Sequence, residues 1–91
     1  MDSLHSGSAH ALRTILDGQP TTAAKVAFIW RMAAGPALAR AAEPIWRDDG
    51  VLTIRARSEA WRRELRRVRP ALAARVHDLA GPNVIKRIVI E

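Results

Sequence analysis

Residues 50–69 read Gly50-Val-Leu-Thr-Ile-Arg-Ala-Arg-Ser-Glu-Ala-Trp-Arg-Arg-Glu-Leu-Arg-Arg-Val-Arg69, and this stretch decides the fold. It begins with a glycine turn, continues as a strand of alternating polarity and ends as an arginine-rich helix. Ser58 can cap that helix, because a serine hydroxyl accepts a hydrogen bond from an unpaired N–H of the first turn. The stretch therefore predicts a strand and a helix that share a core and carry a basic outer surface.

Apolar residues recur at different spacings in the two halves of this stretch. In the strand Leu52, Ile54 and Ala56 alternate with Thr53, Arg55 and Arg57, so the first set is predicted to face inward and the second outward. In the helix, apolar residues recur at helical spacing and predict one buried stripe: Trp61, Leu65, Val68, Leu72, Val76 and Leu79. Pro70 has no backbone N–H to donate to the helix, and its ring clashes with the carbonyl of the preceding turn. We expect it to kink the helix or to divide it into helices over about 59–68 and 70–79.

Upstream of this stretch lies a mostly apolar helix, predicted from about Thr22 to Ala34. Thr21 or Thr22 can cap its start. Gly35-Pro36 is predicted to end it, since glycine tolerates the left-handed cap and proline cannot continue the ladder. The apolar positions of this helix fall on one stripe, which predicts that it is largely buried: Val26, Ile29, Trp30 and Ala33.

The remaining segments supply two more strands. A helical extension through Arg40 is open, after which Pro44 favours an edge strand or a bend before Ile45-Trp46-Arg47. Asp48-Asp49-Gly50 is typical of a turn between paired strands. The β-branched run from Val84 to Ile90 predicts a final strand. The order is therefore α-β-β-α-β, an α+β domain with a three-stranded sheet and its helices packed on one face.

Composition limits the class of protein. A chain of 91 residues makes one domain, and its net charge of +6 is carried by 13 Arg and 2 Lys. Arginine favours planar, bidentate contact with phosphate. The absence of cysteine excludes disulfides and thiolate metal sites. No apolar run is long enough to span a membrane and the first residues lack the regions of a secretory signal, so a cytoplasmic protein is expected.

The first 20 residues differ from the rest in composition. Residues 1–8 are rich in serine and glycine, and we expect residues 1–20 to form a flexible tail with a short helix over Ala9 to Leu16. Residues 21–91 are expected to form the folded domain.

Several of these features occur together in a known family. Phe28-Ile-Trp30, Gly35, Asp49-Gly50-Val-Leu52 and Ser58-Glu-Ala-Trp61-Arg-Arg-Glu-Leu65, followed by Gly81 and a β-rich tail, resemble the DciA family. The resemblance covers about residues 20–91. It implies a KH-like domain in a bacterial replication protein that binds single-stranded DNA and the replicative helicase and assists helicase loading. The chain has no Gly-x-x-Gly loop, so clamping of RNA in the manner of true KH domains is not expected.

Seven arginines are the main candidates for contact with nucleic acid, because basic faces of small domains commonly bind phosphate backbones. We call them the arginine face: Arg55, Arg57, Arg62, Arg63, Arg66, Arg67 and Arg69. Eight arginines but only four acids lie between Arg47 and Arg69, which leaves the charge unbalanced. The alternative is a solvated helix face with local pairs such as Glu59–Arg63 and Glu64–Arg67, each worth about 0.2–0.5 kcal/mol.

The three tryptophans are interpreted differently from one another. Trp46 precedes the turn. It fits a binding surface and a structural edge of the sheet equally well, and it is included among the candidate nucleic-acid-binding residues. An aromatic side chain beside arginines is typical of surfaces on which the bases of single-stranded nucleic acid stack. The stripe positions of Trp61 and Trp30 nevertheless favour the core for both.

No pattern indicates catalysis. His5, His10 and His77 share no ligand spacing, and no nucleophile–base set or phosphate-cradling loop is visible. We therefore expect no enzyme activity, metal, cofactor, small-molecule substrate or membrane partner. Two hypotheses stand: a nucleic-acid-binding accessory of replication that contacts the helicase, and a protein–protein adaptor whose basic face meets an acidic partner.

Overall fold

The computed structural model describes residues 11, 14–16, 20–81 and 83–91. Across them the elements follow in the order α1 (Ala23–Ala41), β1 (Ala42–Trp46), β2 (Val51–Ala56), α2 (Glu59–Ala80) and β3 (Arg87–Ile90). The expected flexible tail falls mostly outside the described residues. Residues 14–16 are helical, and Leu16 is buried in the core.

The three strands form one mixed sheet in the order β1-β2-β3. β1 and β2 are antiparallel and pair Trp46 with Leu52, while β2 and β3 are parallel and pair Leu52 with Ile88. A parallel pair needs a crossover connection, and α2 is the element that lies between β2 and β3. The predicted α+β class and α-β-β-α-β order are confirmed, and the arrangement is compatible with a KH-like fold.

The core lies between the helices and one face of the sheet. The sheet supplies Leu52, Ile54 and Ile88 from alternate strand positions, as the period of two requires. The predicted stripe of α1 is buried throughout. From α2, the buried residues are Leu65, Leu72, Val76, Leu79 and Ala80. The part of the chain that the structure describes contains no helix long and apolar enough to cross a membrane.

Helix α1 begins as predicted and is interrupted at Gly35, after which a second helical segment follows. The Thr22 hydroxyl caps it by accepting a hydrogen bond from the Lys25 N–H at 3.2 Å. Gly35 takes φ +81°, and the helix resumes after this kink and runs to Ala41. The predicted break at Gly35-Pro36 is confirmed, and the second helical segment is the extension through Arg40 that the sequence left open. At the kink the Arg75 guanidinium donates to the Ala33 carbonyl at 3.2 Å, which satisfies an acceptor near the break.

The kink makes Gly35 sensitive to substitution. Replacing Gly35 with alanine should lower the free energy of unfolding by about 1–3 kcal/mol, because its backbone conformation is one that side chains with a Cβ rarely adopt. An added Cβ would meet nothing within 4 Å, so the effect isolates backbone strain from crowding. Urea denaturation measures it, and an unchanged midpoint would show that the kink does not require glycine.

Helix α2 is more continuous than the sequence predicted. It runs without a break from Glu59 to Ala80 with Pro70 inside it. The predicted division into two helices at Pro70 is wrong, because Leu65, Leu72 and Val76 are buried on both sides of the proline and pack both halves into the core. The Ser58 hydroxyl caps the helix by accepting from the Trp61 N–H at 3.2 Å, and Gly81 closes it with φ +86°.

The last strand is shorter than predicted and has a protected edge. β3 begins at Arg87 instead of Val84, although Ile85 before it is buried in the core. The Arg69 Nε donates to the Ile88 carbonyl at 2.9 Å. An edge strand presents unpaired backbone groups that invite pairing with another chain. Arg69 therefore covers the edge of β3, while Pro44 lies within the opposite edge strand, β1.

Candidate nucleic-acid interface

Arg55 and Arg57 of the arginine face have different neighbours. Arg55 is exposed on β2, where its Nη2 lies 3.6 Å from the Glu91 carboxylate, and Glu43 is its cross-strand partner on β1. Arg57 follows the end of β2, and its Nε donates to the Arg40 carbonyl at the end of α1, at 2.6 Å. Arg55 is thus flanked by carboxylates, whereas the Arg57 side chain reaches a backbone carbonyl at the end of α1.

Two arginines of α2 are paired with glutamates one turn earlier. Arg62 forms a salt bridge with Glu59, where the sequence had suggested Arg63 as the partner of that glutamate. Arg67 pairs with Glu64 as predicted, through a Nε–Oε2 hydrogen bond of 3.1 Å. This hydrogen bond to Arg67 lowers the pKa of Glu64 and raises the pKa of Arg67. Both pairs are solvent-accessible, so they contribute little to stability.

The other α2 arginines of the face have no carboxylate partner among the residues that the structure describes. Arg63 and Arg66 are exposed on successive turns between the two paired arginines. Arg69 is also exposed, although its Nε is held by the β3 carbonyl. Local pairs therefore leave these positions uncompensated among the described residues, and the helix keeps an excess of positive charge on its surface.

Trp61 lies at the surface, contrary to the prediction that it belongs to the core. Its exposed fraction is 38%. It stands in the first turn of α2, where the stripe passes beyond the core and faces the end of α1. There it lines an open depression of about 290 Å³ together with Ala37, Arg40, Ala41 and Arg57. The sequence pattern gave Trp61 the right helical phase for burial but could not show that the described residues leave it partly exposed beside the end of α1.

Trp46 does not join the arginine face. It is half-buried against the core, and its indole Nε1 donates to Asp48 Oδ1 at 2.7 Å. Asp49 Oδ1 accepts from the Val51 N–H at 3.0 Å, which tightens the same turn. The contacts of Trp46 are therefore those of a hairpin residue, although its nucleic-acid role stays a prediction. Arg40 is a residue that the sequence reasoning missed, because only the continuation of α1 past Gly35 brings it beside Trp61.

His77 has a structural contact near the end of α2. Its Nε2 lies 3.2 Å from the Ile85 carbonyl, so the ring donates there and ties the helix to the segment before β3. Over residues 20–81 and 83–91, together with residues 11 and 14–16, no group of three His, Cys, Asp or Glu side chains is placed to hold a metal ion.

Comparison with known proteins agrees with this architecture. The family model described as "Dna[CI] antecedent, DciA" matches residues 9–90. The chain belongs to the DciA family. A UPF0232 protein of Mycolicibacterium smegmatis (strain ATCC 700084 / mc(2)155) is 36% identical over 61 residues. That match covers 67% of this chain and 31% of the relative, so the chain spans about a third of the relative's length. The resemblance seen in the Trp-Gly-strand-Ser-Trp pattern is thereby confirmed at the level of the DciA family.

Proposed function

We propose that this DciA-family domain is a nucleic-acid-binding accessory of bacterial DNA replication. In this proposal the arginine face binds single-stranded DNA, and the domain also contacts the replicative helicase and assists its loading. The proposal assigns no catalytic chemistry and no cofactor to the domain. It places the activity in the cytoplasm, where bacterial chromosomes are replicated.

The observation that carries the DNA-binding part is the uncompensated charge of the arginine face. Glu59 and Glu64 are the only acids within the first half of α2, and each already holds one arginine. Arg57, Arg63 and Arg66 are left without carboxylate partners among the described residues, and they lie at the end of β2 and on α2. A row of guanidinium groups along one helix supports contact with a phosphate backbone, which each group can bind in a bidentate manner.

The helicase-loading part rests on membership in the DciA family. The described surface adds a compatible feature, because a basic helix face can also meet an acidic protein surface. That second candidate, an adaptor that binds an acidic partner and little DNA of its own, is favoured by the same unpaired arginines. Salt-dependent binding to DNA alone separates the two candidates.

The first test is a titration of labelled single-stranded DNA across a salt series. Affinity should fall steeply with salt, with a log–log slope of about −0.7 for each phosphate that the protein neutralises. Binding should tolerate changes of sequence, since phosphate contacts carry no base information. Binding that is independent of salt, or absent at low salt, would remove the DNA-binding proposal and leave the adaptor.

A second test releases the two paired arginines. Replacing Glu59 and Glu64 with glutamine frees Arg62 and Arg67 for phosphate, so affinity for single-stranded DNA should rise and the salt slope should steepen by about −0.7 per new contact. Asp78→Asn is the matched control, because it removes one exposed acid in the last turn of α2, outside the arginine face, and leaves both Glu–Arg pairs in place. The rise in DNA affinity per acid removed is then compared between the double variant and the control. Equal rises would show that net charge governs binding, and not the α2 arginines.

A further inference from the structure

The depression beside Trp61 combines three properties that are rarely found together by chance. A large aromatic ring is partly open to solvent, two short side chains (Ala37 and Ala41) leave space next to it, and two arginines border the space. Neither Arg40 nor Arg57 has a carboxylate partner among the residues that the structure describes. The depression therefore offers a π-surface and positive charge side by side.

We propose that this depression is a base-stacking subsite for single-stranded nucleic acid, in which an unpaired base lies on the Trp61 indole and the adjoining phosphate meets Arg40 and Arg57. The inference rests on the proposed function and adds to it a defined contact with a base. Every base has a π-face, so the subsite is tolerant of sequence. The subsite shares Arg57 with the arginine face, whose members on α2 are proposed to contact phosphates alone.

The geometry of Arg57 supports this arrangement. Its Nε is held on the Arg40 carbonyl, and this hydrogen bond fixes the guanidinium at the rim of the depression. Its position is fixed further by the backbone, since the Arg57 N–H donates to the Ala41 carbonyl at 2.9 Å. A preorganised arginine loses less conformational freedom when it binds a phosphate. The Ser58 cap fixes the first turn of α2, on which Trp61 stands.

A role for Trp61 in folding alone explains less of the structure. The fully buried tryptophan is Trp30, while Trp61 is absent from the hydrophobic core formed by the described residues. A contact with a protein partner would also use an exposed tryptophan. The two arginines without carboxylate partners beside the ring favour a ligand that carries both an aromatic group and a negative charge, and a nucleotide of a single strand has both.

The test compares an oligothymidylate with an abasic strand of the same length, for the parent protein and for Trp61→Ala and Trp61→Phe. The parent should bind the oligothymidylate more tightly by about 5- to 150-fold, the range that corresponds to stacking of one base. Trp61→Ala should lose this preference and keep its affinity for the abasic strand, and Trp61→Phe should retain most of the preference. Met32→Ala is the control, because it removes an exposed apolar side chain of α1 that does not line the depression, and it should behave as the parent does.

The outcomes separate the subsite from the proposed function. Equal loss of affinity for both strands in Trp61→Ala would assign a structural role to Trp61 and overturn the subsite. An unchanged preference for bases would overturn it as well, and so would an alanine variant that loses only binding to the replicative helicase. Binding of neither strand by the parent would refute the proposed DNA binding itself.

Discussion

Replacing Leu65 with alanine is expected to lower the free energy of unfolding by about 2–5 kcal/mol, the usual cost of truncating a buried leucine. Leu65 has no exposed surface and lies in the central stripe of α2. The cavity that the substitution leaves would face the sheet, where Leu52 and Ile54 are also fully buried. A domain of this size has a total stability of about 5–15 kcal/mol, so the loss is a large share of it. Chemical denaturation followed by circular dichroism measures the effect.

Met32→Ala provides the control for that experiment. Met32 lies on α1 with an exposed fraction of 49%, so the same kind of truncation there should change stability by no more than about 0.5 kcal/mol. Equal effects at the two positions would mean that the phase of α2 against the sheet is wrong.

Replacing Arg63 and Arg66 together with alanine is expected to weaken binding to single-stranded DNA by about 25-fold at about 0.1 M salt. Each arginine that neutralises a phosphate contributes about 0.7 to the log–log salt slope, so the slope should become shallower by about 1.4. These two arginines are chosen because they are exposed and have no carboxylate partner among the described residues. Their removal therefore breaks no interaction within the domain, and stability should change by less than about 0.5 kcal/mol.

The double variant Arg31→Ala, Arg47→Ala removes the same charge from exposed positions outside the arginine face. If DNA binding depends on the arginine face, this control should lose much less affinity and keep its slope. An equal loss in the two double variants would show that the domain attracts DNA through its overall charge and has no preferred face.

The strand and helix around Ser58 were predictable because each carries a clear period. Leu52 and Ile54 alternate with polar residues in β2, and the buried residues of α2 recur at helical spacing from Leu65 onward. Ser58 gave the start of the helix through its side-chain chemistry. Such signals are local, and the tertiary structure did not alter them.

The errors arose where a local signal competed with packing. Pro70 is a helix breaker by propensity, yet it lies inside the single helix α2. Trp61 had the right period for the core, but burial depends on what lies opposite, and among the described residues the end of α1 leaves it partly exposed. The order of the sheet and the parallel pairing of β3 also depend on distant residues, so the strand pattern alone did not give the neighbours of Arg55.

The arginine face could be proposed from the sequence, because the excess of arginine over acid is visible in composition. Which arginines are paired depends on side-chain reach. Glu59 reaches Arg62 and not Arg63, and Arg69 is held by a strand carbonyl. The sequence did not indicate Arg40, because its position beside Trp61 depends on the three-dimensional path of α1.

The unbroken course of α2 has a consequence for how this domain can change in evolution. One residue inserted ahead of Leu65 would turn every later position by about 100° around the helix axis. Arginines would then move into the core while leucines came to the surface, so the fold and the basic face would be lost in one event. Point substitutions can adjust this helix position by position, but changes in length are expected to be confined to the segments outside it, such as the turn between β1 and β2.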